Sequence, residues 1–285
     1  MESIIVGVDG SPDAQHAVQV ATKIARATRA PLRLVYALMP PVVPMDASGY
    51  TSSRLWTEQQ HWAEQMLAGQ KAKVPGDVVV TTLLSIGYPA ETIREAAKAA
   101  RASLIVVGTT GAGATARLFL GSTAHKVVHT ALVATLVVRP DSSETLEKFF
   151  VAVDGSPHAL RAARTAAGMA ANMGGSVTLT HVSSPNLIPD IPAYHQLLLD
   201  MEAEEVRRVE GLFTGVIAEL TSFQVPVATK RLVDGAEAFI EFAEQSGADC
   251  LVVGSRGRNA FARVMLGSFA DRTLNASKRN VLITR

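Results

Sequence analysis

Cysteine is nearly absent: in a chain of 285 residues, Cys250 is the only one. A single thiol builds no disulfide framework, and its place inside an apolar run reads as a buried side chain in a reducing compartment. Charge of one sign is missing too. The 27 Lys and Arg stand against 26 Asp and Glu, a formal net charge of +1, and no basic block stands out. That balance provides no field for nucleic acid or an anionic membrane. No apolar run approaches the length of a membrane span. A strand-like run begins by Ile4, leaving no room for a signal peptide, so a cytoplasmic location is expected. Two nucleotide signatures also fail. There is no Gly-x4-Gly-Lys-Ser/Thr, which excludes a P-loop NTPase. Gly111-Ala-Gly113-Ala-Thr-Ala116 fits the dinucleotide fingerprint with a terminal alanine, but it has no counterpart later in the chain. No acid stands in residues 131–139, where a ribose carboxylate would be expected, so a nicotinamide cofactor is set aside.

What is present is a glycine pattern that occurs twice. Gly108-Thr-Thr-Gly111 is followed after nine residues by Gly121-Ser122, and Gly254-Ser-Arg-Gly257 after nine residues by Gly267-Ser268. Each copy follows an apolar run (Leu104-Ile-Val-Val107 and Leu251-Val-Val253) and precedes a helical stretch. Glycines let a backbone turn tightly and approach an anion, and a helix N-terminus behind them adds donors and a positive dipole end. One such turn is a common packing device; two with the same internal spacing point to phosphate binding. The repetition extends further. Ile4-Ile-Val-Gly-Val-Asp9-Gly10-Ser11-Pro12 returns as Phe150-Val-Ala-Val-Asp154-Gly155-Ser156-Pro157. Asp9 and Asp154 are 145 residues apart, and Gly108 and Gly254 are 146 apart. A period of that size means duplication of a whole domain rather than a solenoid repeat.

A composition of 48% hydrophobic and 19% charged residues suffices for two packed cores. Apolar runs alternate with longer amphipathic segments, the mark of parallel strands joined by helical crossovers. Strands are expected near 3–8, 31–38, 78–85, 104–108 and 134–138, then near 148–153, 176–182, 226–232, 250–254 and 280–284. Ser11 and Ser156 read as N-caps with proline at the first helical position. Behind them, Ala14, Ala17, Ala21 and Ala25, and Ala159, Ala163, Ala166 and Ala170, permit close packing of helix on sheet. Val206, Val209, Phe213, Val216 and Leu220 mark a longer amphipathic helix. Polar residues 139–147, broken at Pro140, form the linker, which sets domains of 1–140 and 147–285. Proline-containing segments 39–53 and 183–194 follow the second strand of each half and read either as lids or as irregular connections.

The strand-Val-Asp-Gly-Ser start, the Gly-x2-Gly-x9-Gly-Ser loop and the short final strand together resemble the universal stress protein family, in its tandem two-domain form, over essentially the whole chain. The resemblance implies two doubly wound five-stranded parallel-sheet domains of the adenine-nucleotide alpha-hydrolase-like type, related by a pseudo-twofold axis and paired through their last strands. It implies adenine-nucleotide binding at the carboxyl edge of each sheet, with ATP as cofactor and the presence of Mg2+ left open. The family's adenosine-side acid falls on Asp9 and Asp154, within Asp9-Gly10-Ser11 and Asp154-Gly155-Ser156; either acid can also cap its own turn. The strand-two position whose backbone addresses adenine falls near Ala37 and Val182. The phosphate loop falls on Gly108, Gly111, Gly121 and Ser122, and on Gly254, Gly257, Gly267 and Ser268. Arg117 and Arg263, four residues before the last glycine, are candidates to neutralise phosphate charge or are solvated loop residues. The family's proline before the last strand is missing; Ala134-Thr135 and Asn280 occupy that region.

His125 and His129 are spaced as half a metal site on a helix, but the second copy has Asp271 and Asn275 there and no third ligand accompanies them in sequence, so no metal site is assigned. The expected function is an ATP-binding regulatory protein of the stress response, most readily a homodimer, with no nucleic-acid or membrane partner. The alternatives are a slow ATPase or autophosphorylating enzyme and a scaffold whose loops merely pack. No duplicated carboxylate close to the loops suggests metal-assisted phosphoryl transfer, and no catalytic residue is assigned.

Overall fold

In the computed structural model, residues 2–39, 49–111, 120–183, 193–257 and 266–285 are described, and the chain divides into two compact units, Met1–Thr145 and Leu146–Arg285. The first unit runs β1 (Ile4–Gly7), α1 (Pro12–Thr28), β2 (Leu32–Leu38), α2 (Gly49–Ala72), β3 (Val80–Ile86), α3 (Pro89–Ala99), β4 (Leu104–Gly108), α4 (Ser122–Thr130) and β5 (Ala134–Val138). The second repeats that alternation as β6 (Lys148–Ala152), α5 (Pro157–Met173), β7 (Ser176–Ser183), α6 (His195–Leu220), β8 (Val227–Val233), α7 (Gly235–Gln245), β9 (Cys250–Gly254), α8 (Ser268–Ala276) and β10 (Asn280–Thr284).

Every pairing within a unit is parallel. In the first, β1 lies between β2 and β4, with Ile4 in register with Leu32 and with Leu104; β3 and β5 flank them. In the second, β6 lies between β7 and β9, and β8 and β10 follow outward. Central strands covered on both faces are apolar throughout: Ile4, Ile5 and Val6 on β1 and Leu251 and Val252 on β9 are fully buried. The outer β3 has only half-buried and exposed residues.

The helices start where the local chemistry dictates. Ser11 Oγ accepts from Ala14 N at 3.1 Å, and Ser156 Oγ accepts from Ala159 N at 3.1 Å. These caps satisfy donors that the first helical turn leaves without partners, and Pro12 and Pro157 supply the fixed φ of the first position. The alanines Ala14, Ala17, Ala21 and Ala25 are buried, as are Ala159, Ala163, Ala166 and Ala170. On α6, Val209, Phe213, Val216 and Leu220 are buried and Val206 is half-buried. Strands β5 and β10 form without the family's proline, so the departure at Ala134-Thr135 and Asn280 leaves the final strand intact. Most of both proline-containing connections lies outside the described residues. Among the described residues no helix is long and apolar enough to cross a membrane.

Candidate functional site

The strand order of each unit reverses at the boundary between its first and fourth strands. Chains leave β1 and β4 in opposite directions there, which opens a crevice at the carboxyl edge of the sheet. The first wall of the crevice is the turn after β1. Asp9 Oδ1 accepts from Ser11 N at 3.0 Å, and in the second unit Asp154 Oδ1 accepts from Ser156 N at 2.9 Å. The glycine between them has φ +83° at Gly10 and +85° at Gly155, a left-handed backbone that other residues adopt only under strain. Thus each aspartate caps its own turn, and that leaves its second oxygen pointing elsewhere.

That second oxygen faces the glycine loop. A Cβ built on Gly111 would lie 2.6 Å from Asp9 Oδ2, and one built on Gly257 would lie 2.9 Å from Asp154 Oδ2. The turn after strand one and the loop after strand four therefore meet at the same place in both units, and glycine there lets the carboxylate keep its position. The other glycines have different neighbours. Gly108 lies against the backbone of Asp13 in α1, with a built Cβ 2.9 Å from its carbonyl carbon, and Gly254 lies equally close to His158 in α5. Gly121 N donates to Thr109 O at 2.7 Å and Gly267 N to Ser255 O at 2.9 Å, so each loop is tied back on itself at the start of the next helix. Gly121 and Gly267 occupy the N-cap positions of α4 and α8, where glycine has no side chain to close the first-turn donors of Ser122 and Ser268. Arg117 and Arg263 lie outside the described residues. Ala37 and Val182 stand near the ends of β2 and β7, in register with Ser85 and Leu232.

Several residues at the crevice carry no glycine signature. In the first unit Trp62 of α2 covers Gly10, with a built Cβ 3.2 Å from its ring, and sits edge-on to Tyr36 with ring centroids 5.9 Å apart. Trp62 is half exposed. Burial, and then the charge of Asp9, push the Tyr36 phenol up. Asp13 Oδ2 accepts from Thr109 Oγ1 at 2.9 Å, Thr110 N at 3.0 Å and Thr110 Oγ1 at 2.5 Å. In the second unit Leu212 covers Gly155 instead of a tryptophan. His181 replaces Tyr36: its Nδ1 lies 2.7 Å from Val153 O, and its Nε2 lies 3.1 Å from Arg208 Nη2. The carbonyl requires a proton on Nδ1 and the guanidinium requires a lone pair on Nε2, so the ring is the neutral Nδ1–H tautomer. Glu205 accepts from Ser183 Oγ at 2.7 Å and from Arg208, and is held down to about 2, with the Arg208 hydrogen bond as the largest cause. The sequence offered one signal for these residues, the mismatch between aligned positions of otherwise repeated segments. Its force is visible only once α2 and α6 are placed over β2 and β7.

Cys250 is fully buried on β9, and burial pushes its thiol far up, which leaves no thiolate for chemistry. His125 and His129 stack with ring centroids 4.1 Å apart on α4.

Residues 1–139 and 145–285 each match the sequence model of the universal stress protein family. The chain belongs to that family. A universal stress protein of Mycolicibacterium smegmatis is 29% identical over 291 residues, covering 99% of this chain and 96% of that one. A universal stress protein of Thermus aquaticus is 38% identical over 138 residues, covering 48% of this chain and 98% of that relative, so one unit here spans one whole family member. Among solved structures, a universal stress protein from Archaeoglobus fulgidus aligns with TM-score 0.69 at 19% identity over 100% of this chain and 96% of that one. The universal stress fold is thus present twice in tandem, as the repeated glycine loops imply.

Proposed function

We propose that each unit binds an adenine nucleotide, ATP among them, between its Asp-Gly-Ser turn and its glycine loop, and that the protein is a nucleotide-responsive regulator of the stress response. The observation that carries this reading is the duplicated approach of carboxylate and loop, Asp9 to Gly111 and Asp154 to Gly257, each so close that a side chain on the glycine would displace the carboxylate. A carboxylate oxygen there can accept from ribose hydroxyls or an amino group, while the glycine-capped first turns of α4 and α8 present backbone donors and a positive dipole end to phosphates. Ser122 and Ser268 add hydroxyl donors at those turns. Mg2+ would accompany a triphosphate as its counter-ion, with the nucleotide itself supplying oxygen ligands. A homodimer and a cytoplasmic location belong to the same proposal, and static light scattering on the purified chain tests the first.

Mass spectrometry of small molecules released from the purified protein, followed by calorimetric titration with ATP, tests the binding reading. Asp9→Ala and Asp154→Ala are each expected to weaken binding at their own unit by about 1.5–3 kcal/mol, the loss of a charged hydrogen bond. Wild-type affinity in both variants would reduce the aspartates to turn caps.

A further inference from the structure

The two crevices share a frame and differ in the groups that fill it. Thr109 and Thr110 correspond to Ser255 and Arg256, each pair following the first loop glycine. Asp13 corresponds to His158, since Gly108 rests on the backbone of the first and Gly254 on that of the second. In the first unit the loop already holds an anion of the chain's own: one oxygen of Asp13 accepts three hydrogen bonds from Thr109 and Thr110. A polyphosphate brought to this loop meets the charges of both Asp9 and Asp13. In the second unit the same position carries no anion: His158 and Arg256 stand where the first unit has Asp13 and Thr110. Ser255 Oγ lies 3.4 Å from His158 Nδ1, and Arg161 Nε donates to Arg285 O at 2.6 Å. The Cα of Arg256 lies 3.6 Å from where a Cβ on Gly267 would stand, so an arginine sits at the loop beside the start of α8 where the first unit has Thr110. Burial, and then the charges of Arg161, Arg256 and Arg285 against that of Asp154, hold the His158 imidazolium down.

The nucleoside ends differ in the opposite sense. Trp62, half exposed, sets the edge of its ring against Gly10 next to Asp9 and stands edge-on to Tyr36, which places a large aromatic surface at this end of the crevice. Aromatic faces hold flat bases by stacking, whatever the charge further along the ligand. The second unit has Leu212 at that place, and His181, Glu205 and Arg208 in the space of Tyr36 are spent on one another.

Building on the proposed adenine-nucleotide binding, we propose that the two units divide their ligands by charge. The first takes an adenine nucleoside or monophosphate held by its base on Trp62, and the second takes the polyphosphate form held at Arg256. The tandem chain then reads two forms of one ligand class, so its occupancy reports the phosphorylation level of the adenine pool rather than its total.

The two tryptophans, Trp56 and Trp62, both belong to α2, so fluorescence reports on the first unit alone. In a Trp56→Phe chain, adenosine, AMP and ATP are titrated while Trp62 emission is followed, and binding of each to the whole chain is measured in parallel by equilibrium dialysis. The expected result is quenching by adenosine and AMP at concentrations about tenfold below those needed for ATP, the scale of one nearby unit charge. Asp13→Asn, which keeps the shape and can still accept from the threonines, should reduce that discrimination several-fold. Arg256→Gln should lower the dialysis affinity for ATP about tenfold while leaving Trp62 quenching by adenosine unchanged. Equal quenching by adenosine and ATP, or ATP affinity indifferent to Arg256→Gln, overturns the division of ligands. Absence of any adenine compound in dialysis overturns the binding proposal itself, and the two failures are therefore separable. The order of ligands in the Trp56→Phe chain decides the matter even should Asp13→Asn fold poorly.

Discussion

Three glycines of one loop have three separate physical jobs. Gly108 has backbone 2.9 Å from where its Cβ would stand, Gly111 has the end of a carboxylate at 2.6 Å, and Gly121 has Thr109 O at 3.0 Å. Backbone in the first turn of α1 cannot retreat, whereas a carboxylate can rotate. Gly108→Ala is therefore expected to destabilise the first unit by about 1–3 kcal/mol, the usual cost of overpacking. Gly111→Ala should leave thermal unfolding nearly unchanged while displacing Asp9 and weakening nucleotide binding. Melting curves paired with ATP titrations separate the two, and equal effects of both variants on stability would show the loop to be a packing device alone. The spacing of these glycines was legible in the sequence, but their division of labour was not. It depends on which element lies behind each Cα, and α1 is more than ninety residues distant along the chain from the loop it supports, as the Asp13–Thr109 bond shows.

Among the elements, strands and caps were the most legible. The short apolar runs of β1, β4, β9 and β10, bounded by polar turns, read as buried strands, and Ser-Pro starts fix where α1 and α5 begin. The long helices α2 and α6 were legible only as amphipathic segments. A helical period shows which face is buried, not which strand residue meets that face, so the contact of α6 with His181 had no signature in the chain. That contact has a testable consequence. Glu205 ties α6 to β7 through Ser183 and pairs with Arg208 of its own helix, which in turn reaches His181, and its carboxyl lies at about 2 instead of its ordinary 4.5. A lowered folded-state value contributes stability that is full above pH 4.5 and is lost as pH falls toward 2. Thermal melts between pH 5 and pH 2 should therefore show a steeper loss of stability in the wild type than in Glu205→Gln, which has no such proton to gain. Parallel pH curves for the two proteins would mean that the network contributes nothing net.

At the scale of the whole molecule, duplication explains both the likeness and the difference of the units. Each has its own five-stranded sheet, its own reversal of strand order and its own turn with a left-handed glycine. These features are shared because removing any one disrupts a fold. The residues that differ, Asp13 against His158, Trp62 against Leu212 and Tyr36 against His181, lie around the crevice, where a change alters binding before it alters folding. A chain with two such crevices should bind two adenine ligands. Gly121→Glu and Gly267→Glu each place a side chain and a negative charge where the helix N-terminus faces the loop, and each is expected to abolish binding in its own unit. Gly267→Glu is the cleaner of the two, because a Cβ there has 3.5 Å to Ser255 O while one at Gly121 has only 3.0 Å to Thr109 O. Bound ligand per chain, measured by equilibrium dialysis at saturating adenine nucleotide, should fall from two to one in either single variant and to none in the double variant. Circular dichroism on the same samples confirms that the fold persists. A folded double variant that still binds would place the ligand somewhere other than the glycine loops.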